Sequence, residues 1–194
     1  MPQFPSLPDP ASLMDLLVAF PENSRPLLTY INAVMRGDGA LSVADRELIA
    51  AYVSGLNACA FCHDSHAIYA RLFGIPDGVI NALLDNLETA PVSDQMRTLL
   101  AYVGKLNTLP AKMVPADAQK AIAAGNTEAM LFEAIEVAGV FNLMNRLIEG
   151  AGVNFDYKAP ENAGAVPSDP KVMENSYLNF ADRIEAAVGA AAND

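Results

Sequence analysis

The sequence predicts an all-α fold, and three observations carry that prediction. Its 194 residues contain no Trp and only 7% aromatics, whereas the strands of a sandwich or barrel want aromatic and β-branched side chains. Ala, Leu and Met, all good helix formers, are plentiful. Apolar residues recur at three- and four-residue spacing, between helix start and stop signals, rather than alternating. Hydrophobic residues make up 52% of the chain, enough for a sizeable core, so wholesale disorder is excluded. The length suits a single all-helical domain over residues 1–194.

Each element has its own signal. Pro2, Pro5, Pro8 and Pro10 make residues 1–10 an extended arm, and a short helix over 11–20 stops at Pro21. A helix over 24–35 ends at Gly37-Asp38-Gly39. Ser42 opens the next helix, with Asp45 three residues on as a variant capping box, and Leu48, Ile49, Tyr52, Val53 and Leu56 form its apolar stripe. Asn57-Ala58 bends the chain. A helix from Cys59 to Phe73 follows, ended by Gly74, and Pro76 opens a helix over 77–87. Ser93-Asp94 caps a helix to Asn107, a short helix spans 116–124, and Thr127 caps a long one to Glu149. On this last helix Met130, Met144 and Leu147 read as core. Residues 154–170 read as a surface connection, and 171–188 as a C-terminal helix. One echo stands out: Ala51-Tyr-Val-Ser-Gly-Leu-Asn57 recurs as Ala101-Tyr-Val-Gly-Lys-Leu-Asn107, fifty residues on. A duplicated unit and a shared packing demand explain it equally well.

Charge narrows the partners. Twelve Lys and Arg against 23 Asp and Glu leave a formal charge of −11, with no basic cluster, so nucleic acid and anionic membrane surfaces are poor partners. No uninterrupted apolar run is long enough to span a bilayer. The N-terminus lacks the features of a secretory signal, which makes the cytoplasm the expected location. Neither a glycine-rich phosphate loop nor a nucleotide fingerprint occurs, and no cofactor is expected.

The chemistry concentrates in eight residues. The only cysteines, Cys59 and Cys62, and the only histidines, His63 and His66, occupy positions i, i+3, i+4 and i+7 of one helix face. Thiol redox chemistry is one reading. Cysteines on the first turn of a helix meet its unpaired amides and partial positive charge, which favour a thiolate, and a sulfenic acid on one condenses with the other. His66, one turn past Cys62, could accept or return the proton. Zinc is the competing reading, since two Cys and two His suit it, but one helix face lines ligands up rather than surrounding an ion. A zinc-binding, non-enzymatic oligomer would need a partner chain to complete the site. Glu47, on the preceding helix, is twelve residues from Cys59 and would sit about a third of a turn off the cysteine face were the helix unbroken. With a bend at Asn57-Ala58 the two helices can fold against each other and bring the carboxylate to the imidazole, where it can raise its basicity; taken alone, Glu47 reads as an exposed surface glutamate.

Glu47, Cys59-x-x-Cys62 and His66 in this spacing resemble the signature of the alkylhydroperoxidase D-like family of the carboxymuconolactone decarboxylase superfamily. Residues 41–57 are similar to its uncharacterised peroxidase-related branch. The strong match covers about residues 40–75, and Phe141-Asn-Leu-Met-Asn-Arg146 is weakly similar to a late helix of these proteins. The resemblance implies a multi-helix fold assembled as a homo-oligomer, a trimer or hexamer, with the redox site near a subunit interface. It also implies reduction of organic hydroperoxides by the two cysteines and a Glu47–His66 proton relay. Cys62 would be the attacking thiol and Cys59 the resolving one, with a dithiol protein as reductant. His63, Tyr69 and Arg146 are accessory candidates. The best-studied relatives carry a histidine just before the second cysteine, where this chain has Phe61. That departure leaves open a weak peroxidase, or a dithiol–disulfide reductase without peroxide activity.

Overall fold

Nine α-helices and three short 3-10 turns account for the regular structure of the described residues, and no strand occurs among them. The computed structural model describes residues 1–162, 165 and 169–191. The helices are α1 (Leu13–Ala19), α2 (Ser24–Arg36), α3 (Val43–Leu56), α4 (Ala60–Leu72), α5 (Val79–Asp85), α6 (Asp94–Thr108), α7 (Pro115–Ala123), α8 (Glu128–Ala151) and α9 (Ser176–Ala191). Ser12 and Ser42 cap α1 and α3 through full capping boxes with Asp15 and Asp45. Two elements differ from expectation. The helix expected over 77–87 is only α5, because Gly78 at φ +82 sits in the left-handed region and Asn86 is extended. The C-terminal helix starts at Ser176 rather than 171, because Pro170–Met173 form a 3-10 turn. Residues 163, 164 and 166–168 of the expected connection lie outside the described residues.

The chain divides into two packed units. One contains residues 1–37 and 146–194, with α9 packed on α2 and α1. Arg25 of α2 grips α9, donating from Nε to Glu185 Oε1 at 2.7 Å and from a terminal nitrogen to Asp182 Oδ1 at 2.6 Å. The proline-rich arm is tied down within this unit. Gln3 donates its amide to Ala151 O at 2.9 Å, and the Ala11 amide donates to Asn154 Oδ1 at 2.7 Å.

The other unit, residues 38–145, is built around α3. Nine consecutive residues of that helix, Arg46 to Ser54, are buried, so it is enclosed on every side and packs most extensively on α4. The expected stripe misses this: Leu56 is exposed, while Arg46 and Glu47 are not. Small residues make the enclosure possible, since Ala50, Ala51, Ser54 and Gly55 let neighbours approach closely. A Cβ at Gly55 would lie 3.1 Å from His63 Nδ1, and one at Gly104 of α6 would lie 3.3 Å from Tyr52 Oη. Burial pushes the Tyr52 phenol above its ordinary pKa. A terminal nitrogen of Arg46 donates to Glu133 Oε2 of α8 at 3.3 Å, and Glu133 also accepts the amides of Ala40 (2.6 Å) and Leu41 (2.9 Å). Met144 is core as expected, but Leu147 is exposed.

Candidate redox site

The α3–α4 hairpin positions the four principal site residues. α3 ends in a Schellman turn, in which the Ala58 amide donates to Gly55 O and the Cys59 amide to Ser54 O, both at 3.0 Å. The left-handed residue of that turn is Ala58, at φ +55, where glycine is usual. Cys59 then caps α4 and its carbonyl accepts the His63 amide at 3.0 Å. Cys59 thus stands at the N-cap and Cys62 at the third helical position, both within reach of the unpaired amides and positive end of the helix dipole. Both are free thiols and both are buried. α4 ends in a second Schellman turn at Gly74, φ +105, with the Ile75 amide on Ala70 O at 2.9 Å.

One turn after Cys62, His66 is buried and its Nδ1 lies 2.5 Å from Glu47 Oε2. A carboxylate only accepts, so Nδ1–H is the donor and the lone pair of the neutral ring is on Nε2. Glu47 has no exposed surface. Aromatic edges wall the imidazole: Phe141 of α8 stands at 4.3 Å between ring centroids and 72°, Tyr69 at 5.7 Å and 80°. The arrangement can therefore move a proton at Nε2 while Glu47 holds the other nitrogen, in surroundings with little water.

The accessory candidates divide. Tyr69 does meet His66. His63 turns away from the pair: its Nδ1 donates to Ala51 O at 3.0 Å, and its Nε2 is 4.0 Å from Asp64 Oδ1. Arg146 is exposed and falls in the other unit. Among the described residues, no group of three or more His, Cys, Asp or Glu side chains is placed to hold a metal ion. Sequence reasoning passed over Phe141 as a wall of the site, although it opens the 141–146 segment already singled out by resemblance.

The model of the carboxymuconolactone decarboxylase family matches residues 21–105. No curated protein matches the sequence. Three solved structures resemble the fold. An uncharacterised peroxidase-related protein from Silicibacter sp. TM1040 is 26% identical, with a TM-score of 0.62 over 66% of this chain and 66% of that one, just under two thirds of its length. The alkylhydroperoxidase AhpD core of an uncharacterised peroxidase-related protein from Ralstonia eutropha JMP134 gives 24% identity and a TM-score of 0.70, over 79% and 80%. A protein of unknown function from Agrobacterium tumefaciens, named in relation to antioxidant defence and AhpD, gives 25% and 0.61, over 71% and 93%. No helix among the described residues is long and apolar enough to cross a membrane.

Proposed function

Residues 21–105 match the model of the carboxymuconolactone decarboxylase family in a chain of alkylhydroperoxidase-like fold, and from that premise we propose a thiol-dependent peroxidase that reduces organic hydroperoxides. The observation that carries the reading is the buried Glu47–His66 pair one helical turn from Cys62, itself at the amide-rich start of α4. His66 Nε2 takes the Cys62 proton. The thiolate attacks the terminal oxygen of the hydroperoxide, the O–O bond breaks, and His66 returns the proton to the departing alkoxide as alcohol. Cys62 is left as a sulfenic acid. The Cys59 thiol displaces its hydroxyl, which leaves as water, and a disulfide forms. An external dithiol protein reduces that disulfide by exchange. The apolar walls from Phe141 and Tyr69 suit a substrate with an alkyl or aryl body. The working form is a homo-oligomer, a trimer or hexamer, in the cytoplasm.

Consumption of tert-butyl hydroperoxide under excess dithiothreitol tests the reading. Turnover by the wild type that disappears in Cys62→Ser is the expected result. A wild type that exchanges dithiols but leaves the hydroperoxide intact would establish a disulfide reductase instead, with the histidine that Phe61 replaces as the missing group.

A further inference from the structure

A ring of amides surrounds the turn that delivers Cys59. Asn57, the last residue before Ala58, donates from Nδ2 to Asn145 Oδ1 at 2.9 Å and accepts at Oδ1 from Asn107 Nδ2 at 2.9 Å. Asn142 donates to Asn107 Oδ1 at 2.6 Å and to Ala138 O at 2.9 Å. Asn145 donates to Ser54 Oγ at 3.0 Å, and Ser54, fully buried, accepts the Cys59 amide on its carbonyl at 3.0 Å. Side-chain hydrogen bonds therefore run from α6 and α8 to Ser54, which holds the Cys59 amide, and to Asn57, two residues before Cys59. The sequence echo acquires a physical meaning here, because its copies end in Asn57 and Asn107 and those ends meet.

Such a network is not what simple helix packing requires. Ser54 and Asn145 are buried and the other three members half-buried, and amides satisfied by one another specify one geometry far more narrowly than apolar contacts do. What they specify is a turn whose left-handed residue is an alanine, a conformation that persists only where its surroundings over-determine it. We propose that the Ser54–Asn57–Asn107–Asn142–Asn145 network is a positioning device for the Cys59 thiol, holding it opposite Cys62 and so stabilising the disulfide over the dithiol. The proposal rests on the redox reading above. In exchange with glutathione disulfide, Cys59 and Cys62 each give up a hydrogen and join, while glutathione disulfide becomes two thiols. The equilibrium follows the effective concentration of one protein thiol at the other. A loosened turn lowers that concentration and moves the balance toward the dithiol.

The full chain, equilibrated across a series of glutathione ratios, quenched by alkylation and weighed by mass spectrometry, reads this balance. Asn107→Ala removes the bond to Asn57 from the far side and leaves both cysteines and their neighbours on α3 and α4 in place. Its equilibrium constant for disulfide formation is expected to fall about tenfold, about 30 mV for a two-electron couple. Asn142→Ala, which releases Asn107 and the longer contact from Asn57 Nδ2 to Asn142 Oδ1 at 3.5 Å, is expected to move it about threefold in the same direction. Leu99→Ala, a cut in the buried core of α6 away from the network, gives the effect of plain destabilisation. An Asn107→Ala midpoint within twofold of the wild type overturns the proposal, and so does a Leu99→Ala midpoint that moves as far. Failure of the wider reading looks different. A wild type that forms no Cys59–Cys62 disulfide at any ratio overturns both. One that forms it yet spares hydroperoxide overturns the peroxidase alone, and the midpoints still decide the network.

Discussion

Glu47 is the residue whose role depends most on its surroundings. On an amphipathic helix it would pass for a solvated surface carboxylate, but α3 is enclosed and the carboxylate meets His66 Nδ1 in the interior. Glu47→Gln keeps the volume and loses the charge. It is expected to lower kcat/KM by about one to two orders of magnitude, and His66→Gln by about two to three, with folding retained in both as judged by far-UV circular dichroism. Combining the two should cost little more than His66→Gln alone, because the carboxylate acts only through the imidazole; steady-state rates of the three variants check this. Glu133 supplies a second residue-scale expectation. Burial pushes its carboxyl up, but the Ala40 and Leu41 amides and the Arg46 guanidinium outweigh that and hold the pKa below the ordinary value. A carboxylate whose folded pKa is depressed adds stability above its unfolded pKa of about 4.3, and that stability is lost as pH falls through the lower folded value. Glu133→Gln should thus cost about 1–2 kcal/mol near neutrality, and the gap to the wild type should narrow below about pH 4 in urea titrations.

At the scale of elements, caps and turns were the most legible part of the sequence. Ser42 with Asp45, Ser93 before α6, and Gly74 after α4 each announce an end through a specific hydrogen bond, and each stands where expected. The hairpin was readable for the same reason, since a bend at Asn57-Ala58 and four groups on one face leave few arrangements. Less legible was α5, because the left-handed Gly78 interrupts a helix that Pro76 would otherwise have opened. The burial of α3 was hidden too: a stripe of apolar residues marks one face, and nothing local says that the opposite face is also covered. The amide network was invisible for a different reason, since its members are scattered over 54–145 and only their tertiary meeting gives them meaning. One element invites a direct test. Ala58→Gly relieves the left-handed strain at an exposed position, partly offset by the greater freedom of glycine in the unfolded chain. A net gain of about 0.5–1 kcal/mol is expected in chemical denaturation.

For the molecule as a whole, composition alone excluded the strand-rich classes, and nine helices among the described residues bear that out. The acidic surplus of −11 is spread over many helices rather than gathered at the cysteines, so it bears on solubility more than on the reaction. The enclosed position of α3 has a consequence for how the protein breathes. Amide hydrogens at the centre of such a helix exchange with solvent only in the rarest openings, whereas helix ends and their caps open often. Glu47 therefore belongs to the slowest-exchanging segment of its unit, and the mostly exposed turn Leu109–Val114 to one that opens often. Deuterium uptake should separate the two by orders of magnitude, with residues 46–54 labelling last. Such a division of labour keeps the acid–base pair and the Cys59 turn in register while the periphery of the unit moves.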